Sequence, residues 1–441
     1  MQRPWIRSFT LLIGLILAAC GEAATPTTPP TNPTTATGAS SAASGTVTLW
    51  FHSGQGAERD ALNATLQAFA AKNSAIKVEA IELPEGAYND QVNAAALAGE
   101  LPCLLDFDGP FVYNYAWSGY LQPLDSLIAA DVKADFLPSI IQQGTYNGKL
   151  YSLGQFDSGL GFYGNKELLE KAGVRIPTLA QPWTRAELDE ALSKLKANGL
   201  EYPLDLKMDY GRGEWFSYGF SPFLQSFGGD LIDRSNYQKA SGTLNSATSV
   251  EAMKWFQGLF TNGYVNPKPA GSTDFAEGKA ALSWVGHWAY PDYAKALGDK
   301  LLVLPAADLG KGAKTGMGSW NWGITSKCAN PAAAAEVLSF IVSPEEVLRM
   351  SDANGAVPAR TSAIAKSKLF GDGAPLNLYV QQLTNGVAVP RPITPAYPVI
   401  TAAFAEAVDN IVAGADVQAE LDKAAKKIDA DIEDNQGYPV K

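Results

Sequence analysis

The chain has 441 residues, of which 46% are hydrophobic and 18% charged, with a formal net charge of -11. That length supports two domains with proper cores, and the acidic balance leaves no basic stripe to neutralise phosphates, which excludes a nucleic-acid binder. Three cysteines and two histidines, none at close ligand spacing, exclude a zinc site, and no motif calls for a cofactor.

At the N-terminus, Arg3 and Arg7 precede an apolar run at 9–18 that is too short to span a bilayer, and LAACG at 17–21 follows at once. The pattern predicts a lipoprotein signal peptide, 1–19, cut before Cys20, with an ordinary secretory signal as the alternative. Lipidation of Cys20 would hold the mature protein on the outer side of a membrane. Residues 20–45 then carry Thr, Pro, Ala and Ser almost exclusively, with Glu22 as the only charge. Such a segment cannot bury enough apolar surface to offset its ordering entropy, so it is expected to act as a tether. No later segment offers an uncharged apolar run long enough to cross a bilayer.

The body alternates strands and helices. Residues 47–51 form a β-rich run that ends in the Gly-rich turn HSGQG at 52–56, after which Leu62, Leu66 and Phe69 mark one helical face. Residues 76–81 alternate as a second strand, and a helix through Val92 and Leu97 stops at Gly99. A third strand at 104–107 leaves Asp106 and Asp108 at its carboxyl end, where α/β sheets bind ligands. Ser53 and Gln55 belong to the same wall, although either aspartate could instead cap the following turn. Further on, Thr184 and Glu187 form a capping box ahead of Leu188, Leu192 and Leu195. A strand at 301–304 ends at Pro305; Asn330 and Pro331 open a helix with Ala334, Val337, Leu338 and Ile341 on its inner face, and SPEE at 343–346 opens the next. The fold class is therefore α/β.

Ten Trp, 17 Tyr and 18 Phe are present, several of them beside Gly, Pro and polar residues in loops. Rings flanked by carboxylates and amides suit a sugar, which offers an apolar C–H face and a rim of hydroxyls. Trp284, Trp288, Trp320 and Trp322, with Trp215 further away, supply candidate rings, and Asp108, Asp157, Glu214, Gln55 and Arg391 supply candidate polar contacts. Each has a plainer reading. Trp284 sits beside Ala281 and Leu282 and could be core; Trp320 and Trp322 share one strand face, so one could be buried; His287 is expected to be a structural donor. Arg391 stands between Pro390 and Pro392, which hold it in place.

An ordered set of segments resembles the extracellular solute-binding proteins of ABC sugar importers, the family typified by maltose-binding protein. These are VTLWFHSG at 47–54, DFDGP at 106–110, GYLQPLD at 119–125, YNGKLYSL at 146–153, GFYGNK at 161–166, FGGD at 227–230, FAEGKAA at 275–281, GHW at 286–288 and SPEE at 343–346. The resemblance implies a bilobed, periplasmic-binding-protein-like fold of type II, two α/β domains joined by a hinge, with 46–156 plus 304–329 in one lobe and 157–303 plus 330–441 in the other. It implies a returning strand at about 318–326, antiparallel to the strand at 104–107. That strand would bring Cys103 near Cys328, a pairing the cysteine count alone leaves open.

Carried over by position, the resemblance makes Ser53, Gln55, Asp108, Asp157, Glu214, Trp215 and Trp288 ligand contacts, while the position of Trp320 is variable in the family. The implied protein is a lipid-anchored, extracytoplasmic monomer that binds a carbohydrate between its lobes, delivers it to an ABC transporter permease and catalyses nothing. The alternatives are a secreted glycoside hydrolase, which also needs rings and two carboxylates, and the same fold holding a non-sugar solute such as a polyamine.

Overall fold

The computed structural model describes residues 43–54, 56–84 and 88–440. The signal peptide, Cys20, the tether up to residue 42 and Gln55 lie outside the described residues.

Two sheets organise the chain. The first has the strand order Ile76–Leu83, Gly45–His52, Leu104–Asp108, Trp320–Ile324, Leu153–Gly154. Gly45–His52 runs parallel to both neighbours. It buries Val47, Leu49 and Phe51 while Thr48 stays exposed, the alternation expected of a pleated strand. Trp320–Ile324 is the returning strand: it runs antiparallel to Leu104–Asp108, with Trp320 opposite Asp108 and Ile324 opposite Leu104. Just outside that register Cys103 and Cys328 are joined by a disulfide across a sequence separation of 225.

The second sheet has the order Leu301–Leu304, Leu160–Asn165, Leu282–Gly286, Leu204–Asp205. Its two central strands are buried at every residue, so no alternation is visible in their sequence. The helix Glu214–Phe227 is buried at every position after Glu214 and packs Phe216, Phe220, Phe223 and Leu224 into the same core. Tyr397–Val412 and Val417–Asp434 pack on each other and complete that core. Thr184 caps Arg185–Ala197 through the reciprocal bonds with Glu187 that its spacing predicts.

Among the described residues the chain crosses between the sheets three times. Phe156–Asp157 and Val357–Pro358 pair antiparallel at the crossing, Gly159 bridges to Met317, and Thr315–Met317 pairs parallel with Ala388–Pro390. Short paired segments of this kind hold two bodies side by side and leave few residues to absorb a hinge rotation.

Two expected boundaries are corrected. Residues 304–309 stay with the second lobe, whose core takes Leu304, Ala306, Ala307 and Leu309. Residues 331–359 do not join the second lobe: Ala334, Val337, Leu338, Ile341, Met350 and Ala359 share a core with Val47, Leu49 and Trp322 of the first. An amphipathic helix carries no label for the sheet it covers, and Pro331–Ile341 and Pro344–Asn354 fold back on Gly56–Lys72 before the last crossing. Among the described residues, no helix is long and apolar enough to cross a membrane.

Candidate functional site

A polar seam joins the two sheets. Asp108 ends its strand but makes no side-chain cap on the short turn Gly109–Phe111 that follows. Its carboxylate instead receives the fork of Arg391, with Nη1 2.5 Å from Oδ2 and Nη2 2.7 Å from Oδ1. The same Nη1 lies 2.6 Å from Oε1 of Glu214, the first residue of the helix Glu214–Phe227. Tyr397 donates its hydroxyl to that oxygen, and Thr401 donates to Oε2 at 2.8 Å. The guanidinium carbon stands 4.6 Å from the centroid of the Tyr218 ring.

Arg391 reaches this position because Ala388–Pro390 pairs with Thr315–Met317, which delivers the next residue to Gly318, and Pro390 and Pro392 restrict the backbone on either side. Its side chain is 4% exposed. Burial opposes the charge of the guanidinium, yet Asp108, Tyr397 and Glu214 hold its pKa well above the ordinary value. Burial likewise pushes the Glu214 carboxyl up, against the pull of Arg391. Asp157 lies beside the seam: its Oδ1 accepts from the backbone N–H of Gly318 at 2.9 Å and of Ser158 at 2.8 Å, and burial holds its carboxyl above the usual range.

Next to the seam the second lobe builds an aromatic corner. Trp215 and Trp288 meet edge to face, with centroids 6.1 Å apart and planes at 83°. Trp288 is half-buried and lies 6.3 Å from Tyr218, whose hydroxyl donates to Ser158 at 2.8 Å. The spacing in GHW at 286–288 has a steric cause. The Trp288 ring folds back over residue 286, where a Cβ would stand 2.0 Å from Cζ3, so only glycine admits the ring there.

The first lobe uses its rings differently. Trp320 is stacked on His52 at 3.4 Å and 7°, and Tyr88 stands perpendicular to it at 5.6 Å. His52 pairs through Nδ1 with Asp106 Oδ2, while its Nε2 lies 3.9 Å from Glu58. Trp322 is buried and donates from Nε1 to Gln155 at 3.3 Å. His52, Glu58, Asp106, Gln155, Trp320 and Trp322, with Phe156 and Met350, line a narrow crevice.

Of the residues expected at the site, Asp108, Glu214 and Arg391 are thus brought into one hydrogen-bonded cluster with Asp157 alongside, and Trp215 and Trp288 stand together beside them. Ser53 is half-buried at the end of Gly45–His52, its backbone N–H donating to Leu83 at 2.9 Å. Trp284 is a correction: it is fully buried, packs on Phe162 and Phe223, and donates to the carbonyl of Gly219 at 2.7 Å, so it is core. Trp322 is a second correction, since it is 3% exposed and part of the first lobe's core. Arg391 binds protein carboxylates on both sides of the junction.

His287 is structural, with Nδ1 2.8 Å from the carbonyl of Asn354 and Nε2 3.1 Å from Ser158, and burial lowers its pKa to about 4. Sequence reasoning missed Tyr397, Tyr218 and His52. The position of His52, directly before Ser53 at a strand end, was the one available signal.

Comparison with known proteins agrees with this architecture. The family model for the bacterial extracellular solute-binding protein matches residues 64–373. A probable ABC transporter-binding protein of Deinococcus radiodurans is 28% identical over 329 residues, 68% of this chain and 74% of that protein. The fold superimposes on the GacH receptor of Streptomyces glaucescens, solved unliganded and with acarbose, with a TM-score of 0.76 and 25% identity, covering 90% of this chain and all of that one. It also superimposes on the cyclic α-maltosyl-1,6-maltose binding protein of Arthrobacter globiformis, with a TM-score of 0.71 and 25% identity over 89% of this chain and all of the other.

Proposed function

Because the chain belongs to the bacterial extracellular solute-binding proteins, we propose that it captures an uncharged mono- or oligosaccharide between its two lobes and hands it, unaltered, to the permease of an ABC importer. The observation that carries this reading is the pairing of the engaged seam with the open corner. Asp108 and Glu214, the acids at the centre of the junction, are already bound by the internal cation Arg391, while Trp288 beside them keeps part of its ring accessible. A polyamine would have to displace that guanidinium, whereas a pyranose needs flat rings and neutral hydrogen-bonding partners.

The same observation weighs against a glycoside hydrolase. Such an enzyme needs one carboxylic acid free to give a proton and one carboxylate free to attack or to activate water. Here both are held by one guanidinium, and Glu214 also accepts from Tyr397 and Thr401. Relatives named for ABC transport and for sugar complexes support the reading. In it, residues 46–156 and 318–359 form the first lobe and the remaining body the second, Cys20 carries the lipid, and the protein works as a monomer on the outer side of the membrane. Ser53 and Asp157 are proposed as polar contacts to the ligand, Trp215, Trp288 and the free side of Trp320 as rings.

A thermal-shift screen tests the proposal, because a ligand that binds only the folded state raises the melting temperature by mass action. Neutral oligosaccharides such as maltotriose or mannotriose are expected to raise it and spermidine to leave it unchanged. A rise with spermidine alone contradicts the reading.

A further inference from the structure

The loop at 205–211 in the second lobe is built around a buried lysine. Lys207 is 1% exposed, and its Nζ lies 2.5 Å from Asp205 Oδ2 and donates to the carbonyl of Ser272 at 2.9 Å. Its backbone N–H donates to Asp205 Oδ1 at 2.8 Å, and its φ of +54° is left-handed, a conformation in which a side chain is strained and which persists only where the surroundings dictate it. Two groups of that loop then serve the two indoles of the aromatic corner. The carbonyl of Leu206 accepts from Trp215 Nε1 at 3.1 Å, and the hydroxyl of Tyr210 accepts from Trp288 Nε1 at 3.1 Å.

Both Trp N–H groups are therefore oriented by residues within three positions of Lys207. Tyr210 itself adds a third ring, 5.3 Å from Trp215 at 71°, and is 37% exposed. A tyrosine open to solvent on one side and hydrogen-bonded to an indole on the other is poorly explained as core, because burial would cover it.

We infer that Tyr210 is a further ligand-contacting ring of the cleft, and that Lys207 is the positioning residue that sets Tyr210, Trp215 and Trp288 in one corner shaped for the apolar face of a pyranose. The inference rests on the proposed sugar-binding function. Neither residue is marked by a motif, and the pairing of Lys207 with Asp205 and Ser272 appears only once the chain is folded.

Calorimetric titration of the full chain with maltotriose and mannotriose, for wild type, Tyr210→Ala, Tyr210→Phe and Lys207→Met, tests it. Tyr210→Ala is expected to weaken whichever sugar the wild type binds by more than tenfold while its melting temperature stays at the wild-type value, since the ring is not in the core. Tyr210→Phe keeps the wall but frees the Trp288 N–H, and is expected to fall between the two. Lys207→Met is expected to weaken binding as well, and combining it with Tyr210→Ala to cost less than the product of the two losses, because both act on one corner. A wild type that binds either sugar with Tyr210→Ala binding equally well overturns this inference alone. A wild type that binds neither overturns the sugar reading and this inference with it.

Discussion

The two sides of the junction hold similar residues and commit them to different ends. On the first lobe, Trp320 has one face covered by His52 and Tyr88 standing perpendicular to it, and Trp322 is bonded to Gln155 inside the core. On the second, Trp215 is buried and donates to Leu206, whereas Trp288 donates to Tyr210 and keeps part of its ring open. Histidines differ in the same way: His52 sits among Asp106 and Glu58, whereas His287 is enclosed by neutral partners. Residue type therefore does not decide whether a ring meets a ligand; what already covers the ring does. The seam of Asp108, Arg391 and Glu214 is the third ingredient, since it ties the two sides to each other.

The largest effect is expected where the two sides are tied. Arg391→Ala leaves the buried Asp108 carboxylate and the partly buried Glu214 carboxylate without their cation, and breaking a buried pair in this way costs about 3–5 kcal/mol. Urea unfolding should show that loss at pH 7, and a loss below about 1 kcal/mol would mean that the seam contributes no joining force. Trp284→Ala, which empties a fully buried site between Phe162 and Phe223, should cost a similar 3–5 kcal/mol by the cavity it leaves. A variant as stable as wild type would place Trp284 outside the core.

His287 sharpens the contrast between the histidines. Its folded pKa of about 4 lies below its ordinary 6.5, because burial disfavours the charged ring. The unfolded chain therefore binds the extra proton between those values, and the contribution of neutral His287 to stability is present above pH 6.5 and lost as pH falls towards 4. The loss over that window is roughly 3 kcal/mol. Denaturant midpoints of wild type and His287→Gln between pH 4 and 7 should converge as the pH falls; parallel curves would show that the ring is not held neutral.

Much of the fold was legible because its signals are local. The alternation in 47–51, the Thr184–Glu187 cap and the acids after the strand at 104–107 each reflect a constraint acting within a few residues. The returning strand and the disulfide followed from the ordered resemblance. What was not legible depends on which surface a segment meets. Residues 331–359 cover a core whose first strands lie far upstream in the chain, and Trp284 lies in a strand buried on both faces, where periodicity carries no information. The role of Arg391 was half visible: its prolines announced a fixed cation, but its partners lie 283 and 177 residues away.

The most direct measurement is the affinity of Trp288→Ala for the oligosaccharide that most stabilises the wild type, read by titration calorimetry with the ligand recovered and weighed by mass spectrometry. The half-open ring at the seam is expected to act as a binding hot spot, so its removal should cost about 2 kcal/mol, roughly 30-fold in Kd, with the unfolding midpoint nearly unchanged and the recovered sugar intact. Wild-type affinity in the variant, or a cleaved sugar in either protein, would contradict the account.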